Sequence, residues 1–363
     1  PPGPLLAALA LATSPVRALG RAAAAWAIDF GLTERRAAVY GTGPEAARLI
    51  EGLAADPASD IRLVGLFDDR ADDRTPLAVA GVPKLGDARA LVAFAREAEV
   101  DLVILALPLE AEARIRQLMT ALAVLPVDLR LSAWSADMAF PRRGPAAAET
   151  GLVALAARPL RDADRAAKRA IDVAGAAVLL VLMSPLLALT ALAIRLDSPG
   201  PILFRQPRHG YNHRPVEIWK FRSMRAETCD PAARAIVTRN DPRVTRVGRI
   251  IRRLSIDELP QLVNVLRGEM SLVGPRPHAL AAVSSRREPF EEIVGNYAAR
   301  HRVRPGLTGW AQVNGWRGEI DDPEALRRRV AHDLHYIENW SLGLDLRILA
   351  LTPLRLLDPR GAY

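Results

Sequence analysis

The sequence predicts an α/β, Rossmann-like N-terminal domain followed by a mostly α-helical, membrane-associated domain with a re-entrant membrane helix. Three observations predict this. Short apolar runs alternate with helix-like stretches over residues 36–132, Ile171–Ile194 are almost wholly apolar, and the positive charge is concentrated after residue 160. A chain of 363 residues also exceeds what one hydrophobic core usually supports. We therefore divide the chain into an N-terminal segment (1–35), a Rossmann-like domain (36–140), a linker (141–160) and a second domain (161–363).

The first domain is predicted from its alternation of strands and helices, which is typical of a parallel sheet covered by helices. The predicted strands are Ala37–Tyr40, Arg62–Phe67, Asp101–Ala106 and Val127–Leu131, and the predicted helices are Pro44–Ala54, Ala88–Glu99 and Ala111–Leu122.

The first turn of this domain, Gly41-Thr-Gly-Pro-Glu-Ala46, is a partial dinucleotide fingerprint, and Asp68-Asp69 follow the second strand. A helix N-terminus there can hold a phosphate. The same turn also serves simply to pack a helix on a strand. Nucleotide binding and a structural or regulatory module therefore both stay open.

The apolar run Ile171–Ile194 has 24 residues, which at about 1.5 Å per residue is long enough to cross a bilayer. Ser184-Pro185 lie near its middle, where proline removes a backbone hydrogen bond. Both flanks are basic, so the positive-inside rule places both ends in the cytoplasm. The flanking cations are Arg165, Lys168 and Arg169 before the run and Arg195, Arg205 and Arg208 after it. This pattern predicts a helix that enters and returns; a straight transmembrane helix with a tolerated proline is the alternative.

Asp172 lies at the start of the apolar run, four residues after Lys168 and three after Arg169. Residues at these spacings share one face of a helix. An ion pair would keep the acid near the lipid headgroups. We expect a structural anchor here.

The charge is uneven, because residues 161–363 hold 32 Lys+Arg and 22 Asp+Glu, whereas residues 1–160 hold 17 and 19. Such a basic domain indicates an anionic partner: nucleic acid, a phospholipid surface or a phosphorylated substrate. The long apolar run and the lack of an aromatic and basic binding surface argue against nucleic acid. The single cysteine, Cys229, excludes an internal disulfide.

Five motifs follow the apolar run: SPGPILFRQ (198–206), WKFRSM (219–224), RRLSIDELPQ (252–261), SLVGPRPH (271–278) and RPGLTGWAQVNG (304–315). In this order, over about residues 165–352, they closely resemble the bacterial sugar transferase family. These are the monotopic phosphoglycosyl transferases that prime polysaccharide synthesis on undecaprenyl phosphate.

The pair Asp257-Glu258 lies between a basic amphipathic stretch and Pro260. Adjacent acids on a helix point about 100° apart, so one can face a phosphorus while the other holds a cation. A carboxylate can also attack a phosphoryl group to form an acyl phosphate. The resemblance implies that Asp257 is this nucleophile, releasing a nucleoside monophosphate, and that Glu258 helps to bind Mg²⁺. Without the resemblance, salt bridges to Arg252 and Arg253 would be the simpler interpretation.

Further candidates bind substrate. Arg276 lies between two prolines, which fix the backbone and suit bidentate recognition of phosphate. Lys220, Arg222 and Arg252 are further phosphate candidates, with contact to lipid headgroups as the alternative. His278 is a hydrogen-bond donor or a packed histidine.

Gln312 and Asn314 lie in the glycine-rich segment Gly306–Gly315. Its glycines would let the backbone approach a ligand closely. This segment is a structural turn or a substrate loop.

The resemblance is strongest to members that transfer glucose-1-phosphate from UDP-glucose for exopolysaccharide synthesis. Galactose-1-phosphate transfer and a non-catalytic membrane scaffold are the alternatives. The implied partners are a UDP-sugar donor, undecaprenyl phosphate and inner-membrane lipid, with the catalytic domain on the cytoplasmic face of a bacterial inner membrane. A homodimer is expected on the resemblance alone.

Members with a Rossmann-like domain usually carry four transmembrane helices before it. Here only Leu5–Leu11 is strongly apolar, which is far short of one span. We expect either a truncated membrane region or a natural short form.

Overall fold

The computed structural model describes residues 34–56, 59–70, 76–132, 151–225, 241–280, 289–316 and 322–356. Leu5–Leu11, Cys229 and the first half of the predicted linker lie outside these ranges. The chain divides into two compact units, the first ending at Ala157 and the second beginning at Arg158, with Thr120–Pro126 grouped with the second. Each unit is described by itself below.

The first unit is a mixed, Rossmann-like sheet with the strand order β3-β4-β2-β1-β5-β6-β7. The strands are β1 (Arg35–Tyr40), β2 (Ile61–Phe67), β3 (Ala78–Val79), β4 (Val82–Gly86), β5 (Leu102–Leu105), β6 (Asp128–Ser132) and β7 (Leu152–Ala156). The central five are parallel, whereas β3 and β7 run antiparallel to their neighbours. The helices are α1 (Pro44–Ala54), α2 (Ala88–Glu97) and α3 (Glu112–Leu122). The four predicted strands and three predicted helices are present, whereas β3, β4 and β7 were not predicted. The predicted linker 141–160 is wrong in its second half, because β7 there pairs with β6 and belongs to the first unit.

Local sequence explains these elements. The whole of β5 is buried, as expected for an apolar strand covered on both faces. Pro44 opens α1, where its missing N–H costs nothing. The Asp87 side chain caps α2 by accepting a hydrogen bond from the Ala90 amide at 2.8 Å.

The glycine turn after β1 has a structural role of its own. Gly41 has φ +118°, and a Cβ there would lie 2.3 Å from the Ala106 carbonyl oxygen. The Asp68 carboxylate accepts hydrogen bonds from the Thr42 amide at 3.0 Å and the Thr42 hydroxyl at 2.7 Å. The turn therefore packs β1 closely against the end of β5 and satisfies one of its amides within the chain.

The second unit begins with α4 (Asp162–Asp197), a 36-residue helix that contains Pro185. The helix starts before and ends after the predicted apolar run. The Ser184 hydroxyl donates to the Val181 carbonyl at 2.8 Å. Among the described residues, α4 is the one helix that is long and apolar enough to cross a membrane, and only 11% of its apolar window is buried. So much exposed apolar surface indicates membrane association.

The rest of the second unit is mostly helical. Its strands are β8 (Leu203–His209), β9 (Pro215–Phe221), β10 (Ser271–Val273) and β11 (Gly306–Thr308). Its helices are α5 (Arg246–Arg253), α6 (Gln261–Arg267), α7 (Phe290–Ile293), α8 (Trp310–Val313), α9 (Pro323–Glu338) and α10 (Leu342–Leu356), with 3-10 turns at Tyr211–His213, Ile256–Glu258 and Tyr297–Arg302. The antiparallel β8–β9 hairpin and the parallel β10–β11 pair surround a core that includes Ala176, Ile218, Leu262 and Tyr336.

Polar side chains attach the first turns of α4 to this core. Lys168 pairs with Asp345 at 2.6 Å and donates to the Val273 carbonyl at 3.0 Å. Asp172 accepts from the Ser271 hydroxyl at 2.7 Å and the Leu272 amide at 2.9 Å.

The predicted ion pair between Asp172 and Lys168 or Arg169 is therefore wrong. Arg169 donates instead to the Val265 and Leu266 carbonyls. All three side chains are directed into the protein, where α6, β10 and α10 supply partners. These bonds attach the start of α4 to the rest of the unit.

Candidate active site

The Asp257-Glu258 pair lies on a 3-10 turn between α5 and α6, not on a continuous helix. Ser255, which precedes this turn, lies in the left-handed region with φ 56° and separates it from the end of α5. Pro260 then begins α6, because a proline has no N–H to offer to a preceding turn of helix. Leu262 and Val265 of α6 are fully buried, which holds the turn against the core.

Glu258 is buried and surrounded by cations. Its carboxylate forms a bidentate pair with Arg276, at 2.5 and 2.9 Å, and a further pair with Lys220 at 3.1 Å. Burial lowers the pKa of Lys220, which Glu258 opposes. Burial and the charge of Arg276 lower the pKa of Arg208 to about 10, so a third cation lies close to the same carboxylate.

Asp257 differs from its neighbour, since its carboxylate has no hydrogen-bond partner among the described residues. Burial, and then the negative charge of Glu258, raise the pKa of Asp257 to about 6, against the charges of Lys220, Arg252 and Arg276. A desolvated carboxylate with uncommitted oxygens, beside several cations, is suited to attack an anionic phosphoryl group.

The position of Arg276 is set by close backbone packing. A Cβ on Gly306 would lie 2.0 Å from the Gly274 amide nitrogen, and one on Gly309 would lie 2.2 Å from the Gly274 carbonyl oxygen. Buried Arg300 donates to the Arg276 carbonyl at 2.7 Å. The glycines of the 304–315 motif thus fix the strand that leads to Arg276, which favours the structural interpretation of that segment.

Asp333 on α9 holds Arg300 in turn, at 2.6 Å between the guanidinium and the carboxylate. Both side chains are almost completely buried. The pair therefore connects α9 to the segment that carries Arg276.

Of the predicted site residues, the structure brings together Asp257, Glu258, Lys220, Arg252 and Arg276. It places Arg222 elsewhere. The Arg222 guanidinium is buried and donates to the Ser198 carbonyl and hydroxyl, at 2.7 and 3.0 Å, and to the Pro199 carbonyl. These bonds attach the end of β9 to the end of α4.

His278 is buried, with Nδ1 close to the Tyr297 hydroxyl and to the Arg300 guanidinium, each at 2.7 Å. Because a guanidinium can only donate, Nδ1 is the acceptor and Nε2 carries the proton. Burial and the charge of Arg300 hold the pKa of His278 well below its usual range. The packed interpretation is favoured.

Gln312 and Asn314 serve the loop that contains them. Gln312 is buried and its amide donates to the Leu307 carbonyl at 3.4 Å. The Asn314 amide donates to the Trp310 carbonyl at 2.7 Å.

Arg208 was missed, because its sequence position suggested only a basic flank. The sequence feature that could have identified Arg208 is the two-residue period of a strand. Lys220 pairs with Phe204, and Arg208 lies four residues after Phe204 on the same strand. Cross-strand partners and alternate residues share one face, so the hairpin puts Arg208 and Lys220 on the same side.

The predicted magnesium ligand is Glu258, whose two carboxylate oxygens are already paired with Arg276 and Lys220. Mg²⁺ usually takes one or two protein carboxylates and completes its shell with water and substrate phosphates. Within the described ranges, no group of three or more His, Cys, Asp or Glu side chains could hold a metal by itself. An ion at Glu258 would therefore have to be shared with a phosphorylated ligand, and it stays a prediction.

The fold and the site define a membrane-associated protein that handles phosphate groups. A family model described as bacterial sugar transferase matches residues 163–359, and one described as a CoA-binding domain matches residues 6–133. The chain belongs to the bacterial sugar transferase family.

Several relatives carry activity names. An undecaprenyl-phosphate glucose phosphotransferase of Komagataeibacter xylinus is 43% identical over 91% of this chain, which spans 60% of that protein. A UDP-glucose:undecaprenyl-phosphate glucose-1-phosphate transferase of Escherichia coli is 38% identical over 94% of this chain and 72% of its own length. A protein of the same name from Caulobacter vibrioides is 53% identical over 54% of this chain and 72% of its own length.

Proposed function

We propose that this chain transfers glucose-1-phosphate from UDP-glucose to undecaprenyl phosphate and so initiates exopolysaccharide synthesis. The proposal rests on similarity to two relatives. One covers 94% of the chain and is named for this reaction, and the other covers 91% and is named an undecaprenyl-phosphate glucose phosphotransferase. The cation cluster around Asp257 supports the same reaction class, because it suits a diphosphate.

The transfer proceeds in two steps. An Asp257 oxygen attacks the β-phosphorus of UDP-glucose, and the bond from that phosphorus to the bridging oxygen breaks, so that UMP leaves. A phosphate oxygen of undecaprenyl phosphate then attacks the same phosphorus and releases the Asp257 carboxylate. The uncommitted oxygens and partly buried position of Asp257 support this role.

Glu258 orients the cations. Its bidentate pair with Arg276 and its contact with Lys220 hold both side chains beside Asp257 before the donor arrives. Cations fixed in advance stabilise the charge that moves onto the departing UMP without reorganising. Arg208, on the same face of the hairpin as Lys220, adds to this field.

Magnesium, held by Glu258 together with the donor, would neutralise diphosphate charge. We therefore expect excess chelator to stop UMP release and added Mg²⁺ to restore it. Full activity in chelator would show that the reaction does not need the ion.

The proposal is tested by incubating membranes that contain the full chain with undecaprenyl phosphate and either UDP-glucose or UDP-galactose. We expect sustained UMP release with UDP-glucose and none from membranes that carry Asp257→Asn. A preference for UDP-galactose would reassign the sugar. Absence of release with both donors would favour the non-catalytic scaffold.

The first step should depend on pH through Asp257. Its pKa is raised, so protonation removes the nucleophile as the pH falls through about 6. We expect the second-order rate constant of the single UMP burst from donor alone to fall about tenfold per pH unit below that value. Using donor alone excludes titration of the acceptor phosphate.

Glu258→Gln provides the control for this pH dependence. The charge of Glu258 raises the pKa of Asp257, so removing that charge should shift the fall in rate to lower pH. If the rate falls at the same pH or at a higher pH in this variant, Asp257 is not the group that titrates.

We further propose that α4 is re-entrant, with both ends at the cytoplasmic face of the inner membrane. Cations at both ends and Pro185 within the helix support this. Exposed cysteines introduced as Ala166→Cys and Pro201→Cys, after Cys229→Ser, should both resist an impermeant thiol reagent in intact cells and react after permeabilisation. Labelling of either site in intact cells would indicate a true span. The expected homodimer stays a prediction.

A further inference from the structure

A small cavity of about 50 Å³ lies in the second unit, beside the first turns of α4. Five cations contribute to its lining: Arg158, Arg165, Lys168, Arg302 and Arg304. Asp172 is the one carboxylate among the lining residues. The lining includes neither Asp257 nor Glu258, nor the cations that surround them. The cavity is therefore distinct from the candidate active site.

Three of these charges are already compensated. Arg158 pairs with Asp162 at 3.3 Å. Lys168 pairs with Asp345, and Asp172 accepts hydrogen bonds from Ser271 and Leu272. Arg165 is held more loosely, with its nitrogens 3.5 Å from the exposed Asp162 carboxylate and 3.4 Å from the Tyr211 hydroxyl. The fixed acids near the cavity thus leave an excess of positive charge.

Arg304 is the cation that most needs a partner. Its guanidinium is partly buried and has no hydrogen-bond acceptor among the described residues. Burial, and then the charges of Arg169 and Arg165, lower the pKa of Arg304. Burying a charged group without a hydrogen bond costs free energy, so an anion in the cavity would stabilise this arrangement.

The size of the cavity suits a phosphate group. One water molecule needs about 10–15 Å³ by the same measure, so the cavity has room for roughly four oxygen atoms. Arginine presents its donors in a planar fork that matches two oxygens of a phosphate. Arg304 and Arg165 would contact the group from within the cavity and from its rim.

The location indicates where such a phosphate comes from. Lys168 and Asp172 belong to the cavity, and the exposed apolar face of α4 begins at the next residue with Val173 and continues at Val178 and Val181. The change from charged to apolar side chains along a membrane helix marks the level of the lipid headgroups.

We propose that this cavity is a second anion site, which holds the phosphate of a membrane lipid against Arg304 and Arg165 and thereby anchors the start of α4. The site does not depend on the proposed sugar transfer. A free phosphate in solution offers the same chemistry, so the experiment has one arm for each source.

In the first arm, native mass spectrometry of the full chain in detergent measures retention of phosphatidylglycerol. We expect one tightly held lipid on the wild type and at least tenfold weaker retention by Arg304→Gln. Arg165→Gln should weaken retention as well, and it tests the site should Arg304→Gln fail to fold. Arg327→Gln is the control, because it removes the same charge from an exposed side chain paired with Glu324.

In the second arm, thermal unfolding is followed with increasing inorganic phosphate. Lipid retention that depends on Arg304 and Arg165, without stabilisation by phosphate, supports the lipid source. Stabilisation by phosphate that the two variants lose, without lipid retention, supports an anion site for free phosphate and overturns the lipid assignment. Equal behaviour of the wild type, the two cavity variants and Arg327→Gln in both arms overturns the proposal.

Discussion

Asp257→Asn is expected to lower sugar-phosphate transfer by about four orders of magnitude or more, the usual scale for loss of a nucleophile. An amide cannot form the acyl phosphate, so the first step has no route. Donor binding should survive, because Glu258, Lys220 and Arg276 contact one another without Asp257. Rates of UMP release and equilibrium binding of UDP-glucose, measured on the same preparation, separate the two effects.

Glu258→Gln is the matched control for this experiment. It keeps the nucleophile but releases Arg276 and Lys220 from their shared carboxylate. Activity should fall less than in Asp257→Asn and recover in part at high Mg²⁺. Turnover by Asp257→Asn at the wild-type rate would contradict the account, and so would weaker donor binding as its only defect.

The second large effect concerns Asp333. Its replacement by Asn leaves the buried Arg300 guanidinium without its counter-charge. Removing one partner of a buried ion pair costs about 3–5 kcal/mol, so the apparent melting temperature should fall markedly. Activity of the folded fraction should fall as well, because Arg300 donates to the Arg276 carbonyl.

Glu324→Gln on the same helix provides the comparison. Glu324 pairs with Arg327 and Arg328 at the surface, where such contacts contribute less than about 1 kcal/mol. The double replacement Arg300→Met with Asp333→Leu removes both charges and should recover part of the lost stability. A melting temperature for Asp333→Asn equal to that of Glu324→Gln would contradict this assignment.

The first unit could be predicted closely because its signals are local. Short apolar runs such as Leu102–Leu105 define buried strands, and Pro44 and Asp87 mark helix starts. Three strands escaped prediction: β3, whose two residues carry no period, β4 and β7. Strand β7 lies in the predicted linker 141–160 but pairs with β6. The role of Gly41 also required the structure, because the residue that approaches it, Ala106, is distant in sequence.

The candidate site could be predicted in its acids and only partly in its cations. The motifs identify Asp257, Glu258 and Arg276, and these do lie together. Arginines in a basic motif cannot be sorted by sequence, because a guanidinium that binds phosphate and one that binds carbonyls look alike. Arg222 is of the second kind, whereas Arg208 enters the cluster through strand pairing.

The same limit explains the start of α4. Lys168 and Asp172 have the spacing of a helical ion pair, but their partners come from residues about one hundred or more positions later. Tertiary contacts of this kind override local spacing and leave no local signal.

The covalent role of Asp257 can be tested by trapping the intermediate. Wild-type protein is mixed with UDP-glucose alone, quenched rapidly in acid, and digested for mass spectrometry while released UMP is counted. We expect a burst of about one UMP per active site and a hexose-phosphate adduct on the peptide that contains Asp257. An adduct on another residue, or the same burst from Asp257→Asn, would contradict it.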